Sequence, residues 1–232
     1  MNKYYITARL IPAILTSIPA CTGYYYFLAP LVSSTTSHLY WLHPVENIGL
    51  MTGIVFLVMQ INRYFSKELF ENKYFKDELE MPTTNYLMES NTYYTPEIKR
   101  AIRNKIKKDF DIDLLNQPEN NPDELSMRKN IKMAVSQIRS FLKGNSMIYR
   151  HNMEYGFFRN LIGGCIPALT ISLIMVFLFK TAQLNTTMLW ISLGLSVIYI
   201  FPIILSRTIL NKFGSYYAKI LFEQYLETQK GS

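Results

Sequence analysis

Residues that commonly carry catalysis or bind metals are scarce in this chain. Its 232 residues include 2 cysteines and 3 histidines, and no spacing of Cys, His, Asp or Glu matches a metal site. There is also no Ser/His/Asp order, no glycine-rich phosphate loop and no pair of carboxylates in a defined frame. We therefore expect neither an enzyme nor a protein that needs a metal or another cofactor. Cys21 and Cys165 fall in apolar stretches, where packing is a commoner use than a disulfide.

Charge is missing from four long stretches, residues 10–45, 47–62, 160–179 and 181–206. A helix of about 20 residues crosses a bilayer core of about 30 Å. Residues 63–159, by contrast, carry 17 Lys or Arg and 14 Asp or Glu. The sequence therefore predicts an all-α integral membrane protein with four transmembrane helices and one cytoplasmic helical insert.

This pattern divides the chain into four parts. We expect a first transmembrane hairpin at 1–62, a cytoplasmic helical domain at 63–155, a second transmembrane hairpin at 156–206 and a cytoplasmic amphipathic tail at 207–232. Ile11-Pro-Ala recurs as Ile166-Pro-Ala, and Tyr64–Glu71 resembles Tyr216–Glu223. Both repeats lie roughly 150 residues apart in the same order, which favours duplicated hairpins over chance similarity between apolar helices.

Basic residues indicate the orientation. With both hairpin tips outside, Lys180 is the only one of 24 Lys and Arg residues on the far side or at its edge. Short cytoplasmic flanks retain Lys and Arg, so both termini are predicted to be cytoplasmic. This topology accounts for most of the net charge of +7, which therefore does not by itself require a polyanionic partner.

Two amphipathic helices are predicted in the insert. Thr95-Pro96-Glu97 is typical of a helix start. The apolar stripes that we expect to form the core are Ile98, Ile102, Ile106 and Phe110 on the first helix, and Leu125, Ile131, Val135, Ile138 and Leu142 on the second.

Two groups of cations are candidates for binding an anion. Arg100, Arg103 and Lys107 belong to a run of six cations in ten residues, and such groups bind phosphates of nucleotides, oligonucleotides or lipids. Arg150 and Arg159 flank the entrance to the third span. The alternatives are a solvated helix surface for the first group and headgroup anchoring for the second.

Small and polar residues within the spans are candidates for lining a pore or packing helices. Gly49 and Gly53 have the spacing that lets another helix approach closely, and Glu46 precedes them at the outer mouth. Ser192 and Ser196 lie one helical turn apart in the fourth stretch.

Two motifs carry a resemblance to a known family. Pro82-Thr-Thr, Leu87 and Ser90 are followed by Tyr155-Gly-Phe-Phe-Arg-Asn160. Over about the central half, the chain resembles a family of uncharacterised bacterial four-span membrane proteins with PTT and YGFxRN motifs, and specifically the membrane effectors of the Hailong anti-phage system. The resemblance implies a pore in the bacterial inner membrane and a partner nucleotidyltransferase that makes a short nucleic-acid signal. It also implies that this signal keeps the channel shut, with Arg100, Arg103, Lys107, Arg150 and Arg159 as candidate contacts.

The main functional hypothesis is a homo-oligomeric ion channel, taken to be a tetramer. An anionic ligand at the cytoplasmic domain would gate it, and opening would depolarise the membrane and arrest growth. The alternative is a membrane anchor or sensor that recruits a cytoplasmic partner protein without conductance. A transporter is less favoured, because four spans leave little room for alternating access.

Overall fold

The computed structural model describes residues 3–30, 43–114, 124–181 and 185–228, and every regular element in these ranges is helical. In chain order the helices are α1 (Lys3–Leu28), α2 (which begins at His43 and ends at Phe75), α3 (Pro82–Asn85), α4 (Pro96–Phe110), α5 (Glu124–Phe141), α6 (Ser146–Thr181), α7 (Thr186–Ile204) and α8 (Ser206–Glu227). The predicted all-α class is confirmed for the described residues. The predicted helix start before Ile98 is also confirmed, since α4 begins at Pro96.

Four of these helices, α1, α2, α6 and α7, are long and apolar enough to cross a membrane. The prediction of a multi-pass membrane protein is confirmed at this level. We expect the first hairpin to turn at Leu31–Pro44, and residues 31–42 of that tip lie outside the described residues, as do residues 182–184 between α6 and α7.

Two of the candidate spans contain π-helical segments. In these segments each backbone N–H bonds to the carbonyl five residues earlier, instead of four as in an α-helix. They are Ile6–Leu10 and Tyr24–Leu28 in α1, and Ser66–Glu71 in α2. Neither Pro12 nor Pro19 ends α1, although each lacks the N–H that an α-helix uses at that position.

The chain forms two compact units. The membrane unit comprises Met1–Phe70 and Gly156–Arg207, and the helical unit comprises Glu71–Tyr155 and Thr208–Ser232. Each unit is therefore built from two stretches that are distant in sequence. The tail that we treated as a separate part belongs to the same unit as the insert.

The core of the helical unit lies between α4, α5 and α8. Its fully buried side chains include Ile102, Ile106, Ile131, Ile138, Leu221, Phe222 and Tyr225. The predicted stripes are correct at most positions and wrong at their first members, because Ile98 is 38% exposed and Leu125 is 46% exposed. Met127, two residues after Leu125, is buried in its place.

Candidate functional site

A buried polar cluster joins three helices of the membrane unit. Asn160 of α6 donates from Nδ2 to the Ala8 carbonyl of α1 at 2.6 Å, and its Oδ1 lies 3.3 Å from Ser66 Oγ of α2. Asn62 of α2 donates from Nδ2 to Thr16 Oγ1 of α1 at 2.8 Å. All four polar side chains are at most 2% exposed. Hydrogen bonds of this kind hold transmembrane helices in a fixed arrangement.

The two prolines of α1 explain where some of these bonds form. Pro12 has no N–H to offer the Ala8 carbonyl four residues earlier, and Asn160 donates to that carbonyl instead. Pro19 likewise has no N–H for the Leu15 carbonyl, and the Tyr199 hydroxyl of α7 donates to it at 2.7 Å. Each proline thus leaves an acceptor on α1 that another span satisfies.

Two glycines of α6 allow the close contact with α2. A Cβ on Gly163 would lie 2.5 Å from the Asn62 carbonyl oxygen, and a Cβ on Gly164 would lie 2.4 Å from Asn62 Nδ2. A larger residue at Gly163 would require one of the helices to move, and one at Gly164 would displace the Asn62 side chain. The backbones of α2 and α6 are therefore in close contact, and hydrogen bonds join both helices to α1.

The outward faces of three spans are apolar, as is expected of surfaces that contact lipid. Large exposed side chains on these faces are Ile11, Ile14 and Ile18 of α1, Leu173, Ile174 and Phe177 of α6, and Trp190, Val197, Ile198, Phe201 and Ile204 of α7. Two polar side chains within these spans, Thr22 and Thr170, bond to carbonyls of their own helix.

The outward face of α2 differs from the other three. We define the α2 seam as Gly49, Gly53, Phe56, Gln60 and Arg63, all of which are exposed. These positions alternate steps of four and three residues, the spacing by which one helix packs along another. The seam lies opposite the buried face that contains Val58, Met59 and Asn62.

The chemistry of the seam does not suit lipid. Nothing lies within 4 Å of a Cβ built at Gly49 or Gly53. Arg63 donates from Nη1 to Gln60 Oε1 at 3.3 Å, so an amide and a guanidinium share this face. Polar groups of this kind on a span face water or other protein, because hydrocarbon cannot satisfy their hydrogen bonds.

The other predicted pore residues have different surroundings. Ser192 and Ser196 are buried, and Ser196 Oγ donates to the Ser192 carbonyl at 2.8 Å, within α7. Glu46 lies in the first turns of α2, three residues before Gly49 and in step with the seam. Its side chain lies outside the described part of the chain.

The cations of α4 do not form one ligand-facing surface. Arg103 is 6% exposed and donates to the Leu87 carbonyl and to Glu89. Lys99 is also buried and donates to the carbonyls of Met88, Glu89 and Asn91. Both side chains thus serve the fold of residues 86–91.

The remaining predicted ligand residues are held by separate partners. Lys107 pairs with Asp113 at 2.6 Å, and Arg150 pairs with Glu154 on its own helix at 3.2 Å. Arg159 is half-buried and belongs to the membrane unit, whereas the others belong to the helical unit. Arg100 and Arg150 are the most exposed guanidinium groups of the predicted set.

Sequence reasoning missed the polar half of the seam. Gln60 and Arg63 continue the spacing of Glu46, Gly49 and Gly53, and that continuation was visible in the sequence. Asn160 ends the Tyr155–Asn160 motif, but the sequence does not identify the partner of Asn160 or of Asn62, because these partners lie 152 and 46 residues away. Among the described residues, no group of three or more His, Cys, Asp or Glu is placed to hold a metal ion.

Comparison with known proteins finds no matching family model, no similar curated protein and no similar solved structure.

Proposed function

We propose that this chain is the subunit of a homo-oligomeric pore in the bacterial inner membrane, lined by α2 and controlled through the helical unit. One observation carries the proposal: among the described outward faces of the four spans, only that of α2 combines glycines with an amide and a guanidinium. In a single copy the Gln60 amide and the Arg63 guanidinium have each other as hydrogen-bond partners, which leaves further donors of both groups facing outward. An oligomer with α2 at its centre gives them water and the α2 helices of other copies.

The order of residues along the seam suits this arrangement. Gly49 and Gly53 allow neighbouring helices to approach closely. Gln60 has both a donor and an acceptor in its amide, so the same residue of another copy can satisfy it. Arg63 and Gln60 place polar groups where the apolar part of α2 ends. We take the assembly to be a tetramer with both termini in the cytoplasm.

An anionic ligand, a nucleotide or short oligonucleotide from a partner nucleotidyltransferase, is proposed to act at the helical unit. Arg100 and Arg150 are its best candidate contacts among the predicted residues, because Arg103 is committed to Leu87 and Glu89. Opening of the pore would depolarise the membrane and arrest growth, as suits an anti-phage effector.

Cysteine accessibility tests the pore in reconstituted liposomes. In a background of Cys21→Ser and Cys165→Ala, single cysteines replace Gly53 and Gln60 of the seam, or Val197 and Phe201 of α7 as matched outward-facing controls. We expect a water-soluble methanethiosulfonate reagent to change ion flux in the seam variants and to leave the α7 variants unaffected. Equal effects at both helices would contradict α2 as the lining, and absence of flux from every protein would contradict the pore.

The anchor function remains a second candidate because of a specific observation. Ile98 and Leu125, expected in the core, are exposed on α4 and α5. A protein that recruits a partner through these helices would show no flux in the liposome experiment. It would also lose a co-purifying partner when Ile98 and Leu125 are replaced by serine.

A further inference from the structure

The chain leaves α2 through a turn of unusual backbone conformation. Lys76, Asp77 and Glu78 follow Phe75 directly and have φ angles of 43°, 55° and 68°. We call these three residues the left-handed turn. L-residues rarely adopt this region, and consecutive ones are rarer still because each Cβ crowds the following carbonyl. No glycine or asparagine lies in the turn to relieve the crowding.

The local sequence favours a different conformation. Residues 76–80 read Lys-Asp-Glu-Leu-Glu, in which Lys, Glu and Leu are good helix formers. Lys76 and Glu80 already form an ion pair at 2.6 Å with the spacing that a right-handed helix uses. By itself, this stretch would continue α2 as far as Met81, where the extended residue before Pro82 stops a helix.

Contacts from α5 hold the turn in its observed form, together with local backbone bonds from Glu80 to the Phe75 carbonyl and from Leu79 to the Lys76 carbonyl. Lys132 Nζ donates to the Asp77 carbonyl at 2.8 Å and to Asp77 Oδ2 at 2.9 Å. Arg139 Nη1 lies 3.3 Å from Glu78 Oε2. Arg128 Nη1 donates to the Leu79 carbonyl at 2.9 Å. Lys132 and Arg139 thus hold the turn, and Arg128 holds the residue that follows it. Ile131 and Ile138 of the same helix are buried in the core.

Two of these contacts are open to competition. The side chains of Asp77 and Glu78 are 78% and 39% exposed, and those of Lys132 and Arg139 are about one third exposed. Exposed ion pairs contribute little to stability and exchange partners readily. A phosphate carries more charge than one carboxylate and binds guanidinium and ammonium groups well. An anionic ligand can therefore take the place of the turn's own carboxylates.

We propose that the left-handed turn is a strained latch whose own carboxylates occupy an anion site on Lys132 and Arg139. While they do so, α2 ends at Phe75. When a phosphate-bearing ligand takes these cations, residues 76–80 relax into right-handed helix and lengthen α2 by about 7.5 Å. The backbone change stands apart from conductance, and only its effect on ion flux rests on the proposed function.

Hydrogen exchange of the full chain in nanodiscs tests the latch. Within residues 76–80, the amides of Lys76, Leu79 and Glu80 already donate to carbonyls in the observed turn. In Lys132→Ala/Arg139→Ala we therefore expect the slowing at Glu78, where amide exchange should fall at least tenfold because its N–H gains the Tyr74 carbonyl in a continued helix. A merely supportive role for the two cations predicts faster exchange, and that result would overturn the proposal. Adding Lys76→Gly to the double variant should restore the amide exchange rate of the unmodified chain, since glycine adopts positive φ readily. The control Lys76→Ala, which lacks that freedom, should not restore it.

Inorganic tripolyphosphate serves as the probe for the anion site. It should slow exchange at Glu78 in the unmodified chain at concentrations where sodium chloride of equal ionic strength does not. It should have no such effect on Lys132→Ala/Arg139→Ala. An equal effect of both salts would contradict a specific site. Flux measured on the same samples separates the two proposals: slowed exchange without any flux retains the latch and rejects the pore.

Discussion

Proline residues in α1 act at the scale of single hydrogen bonds. Pro12 and Pro19 remove donors from the Ala8 and Leu15 carbonyls, and Asn160 and Tyr199 supply replacements from other spans. The prolines therefore do more than disturb the helix that contains them. They create two acceptors at which α6 and α7 attach to α1.

A double-mutant cycle checks this account for Pro19 and Tyr199. Tyr199→Phe removes the bond to Leu15 and should cost about 1 kcal/mol of the free energy of unfolding in detergent. In Pro19→Ala the new N–H can satisfy the Leu15 carbonyl, so Tyr199→Phe should then cost little. The control pairs Tyr199→Phe with Pro202→Ala, where we expect simple additivity. Additivity in both pairs would show that Tyr199 does not replace a missing helical donor.

These pairings could not be predicted from the sequence. The prolines and the Ile-Pro-Ala repeat are visible there, but Tyr199 lies 184 residues from Leu15. Nothing in the local pattern of either stretch identifies the other as its partner. A missing donor predicts that some group must compensate, without naming it.

At the scale of one helix, α4 separates cations that support the fold from cations that face solvent. Arg103 and Lys99 lie on the inner side and bind carbonyls of residues 86–91. Arg100 is exposed. The periodicity correctly predicted that Ile102 and Ile106 face inward. It did not predict which cations are buried, because the carbonyls that they bind belong to an irregular segment.

Arg103→Ala and Arg100→Ala should therefore differ in stability. Arg103→Ala leaves the Leu87 carbonyl without its buried donor and should destabilise the helical unit by about 2 kcal/mol. Arg100→Ala should change the free energy of unfolding by less than about 0.5 kcal/mol. Chemical denaturation of the purified variants measures both values. Equal destabilisation would contradict the assignment of Arg103 to the fold, and ligand-binding tests should use Arg100.

At the scale of the whole molecule, the helical unit depends on contacts between distant parts of the chain. Tyr225 of α8 packs on Phe110 and Phe141, with ring centroids 6.0 and 6.2 Å away. Its hydroxyl donates to Asp109 Oδ2 at 3.1 Å. The amphipathic pattern after the fourth span predicts that this extension completes the helical lobe of the insert, and α8 shares one core with α4 and α5.

The Tyr225 contact gives the helical unit a dependence on alkaline pH. Burial, followed by the neighbouring Asp109 carboxylate, raises the pKa of Tyr225 well above its usual value near 10. The folded state thus keeps this proton when the unfolded state loses it. The contribution to stability is complete below about pH 10 and declines as the pH rises further.

Thermal unfolding between pH 8 and 11 checks the effect. Tyr225→Phe cannot ionise, so its melting temperature should fall less steeply above pH 10 than that of the unmodified chain. Tyr216→Phe changes an exposed tyrosine of the same helix and should retain the original slope. Identical slopes in all three proteins would show that Tyr225 does not carry this dependence.

The π-helical segment Ser66–Glu71 changes the direction in which side chains point before and after it along α2. A π turn takes up about one residue more than an α turn, and one residue corresponds to about 100° of rotation about the helix axis. Phe70, seven residues after Arg63, is accordingly buried and not in line with the exposed seam. The number of residues in this segment is therefore as constrained as their identity. Deleting one of them would remove a single side chain and would also rotate every residue that follows it in α2 by about 100° about the helix axis.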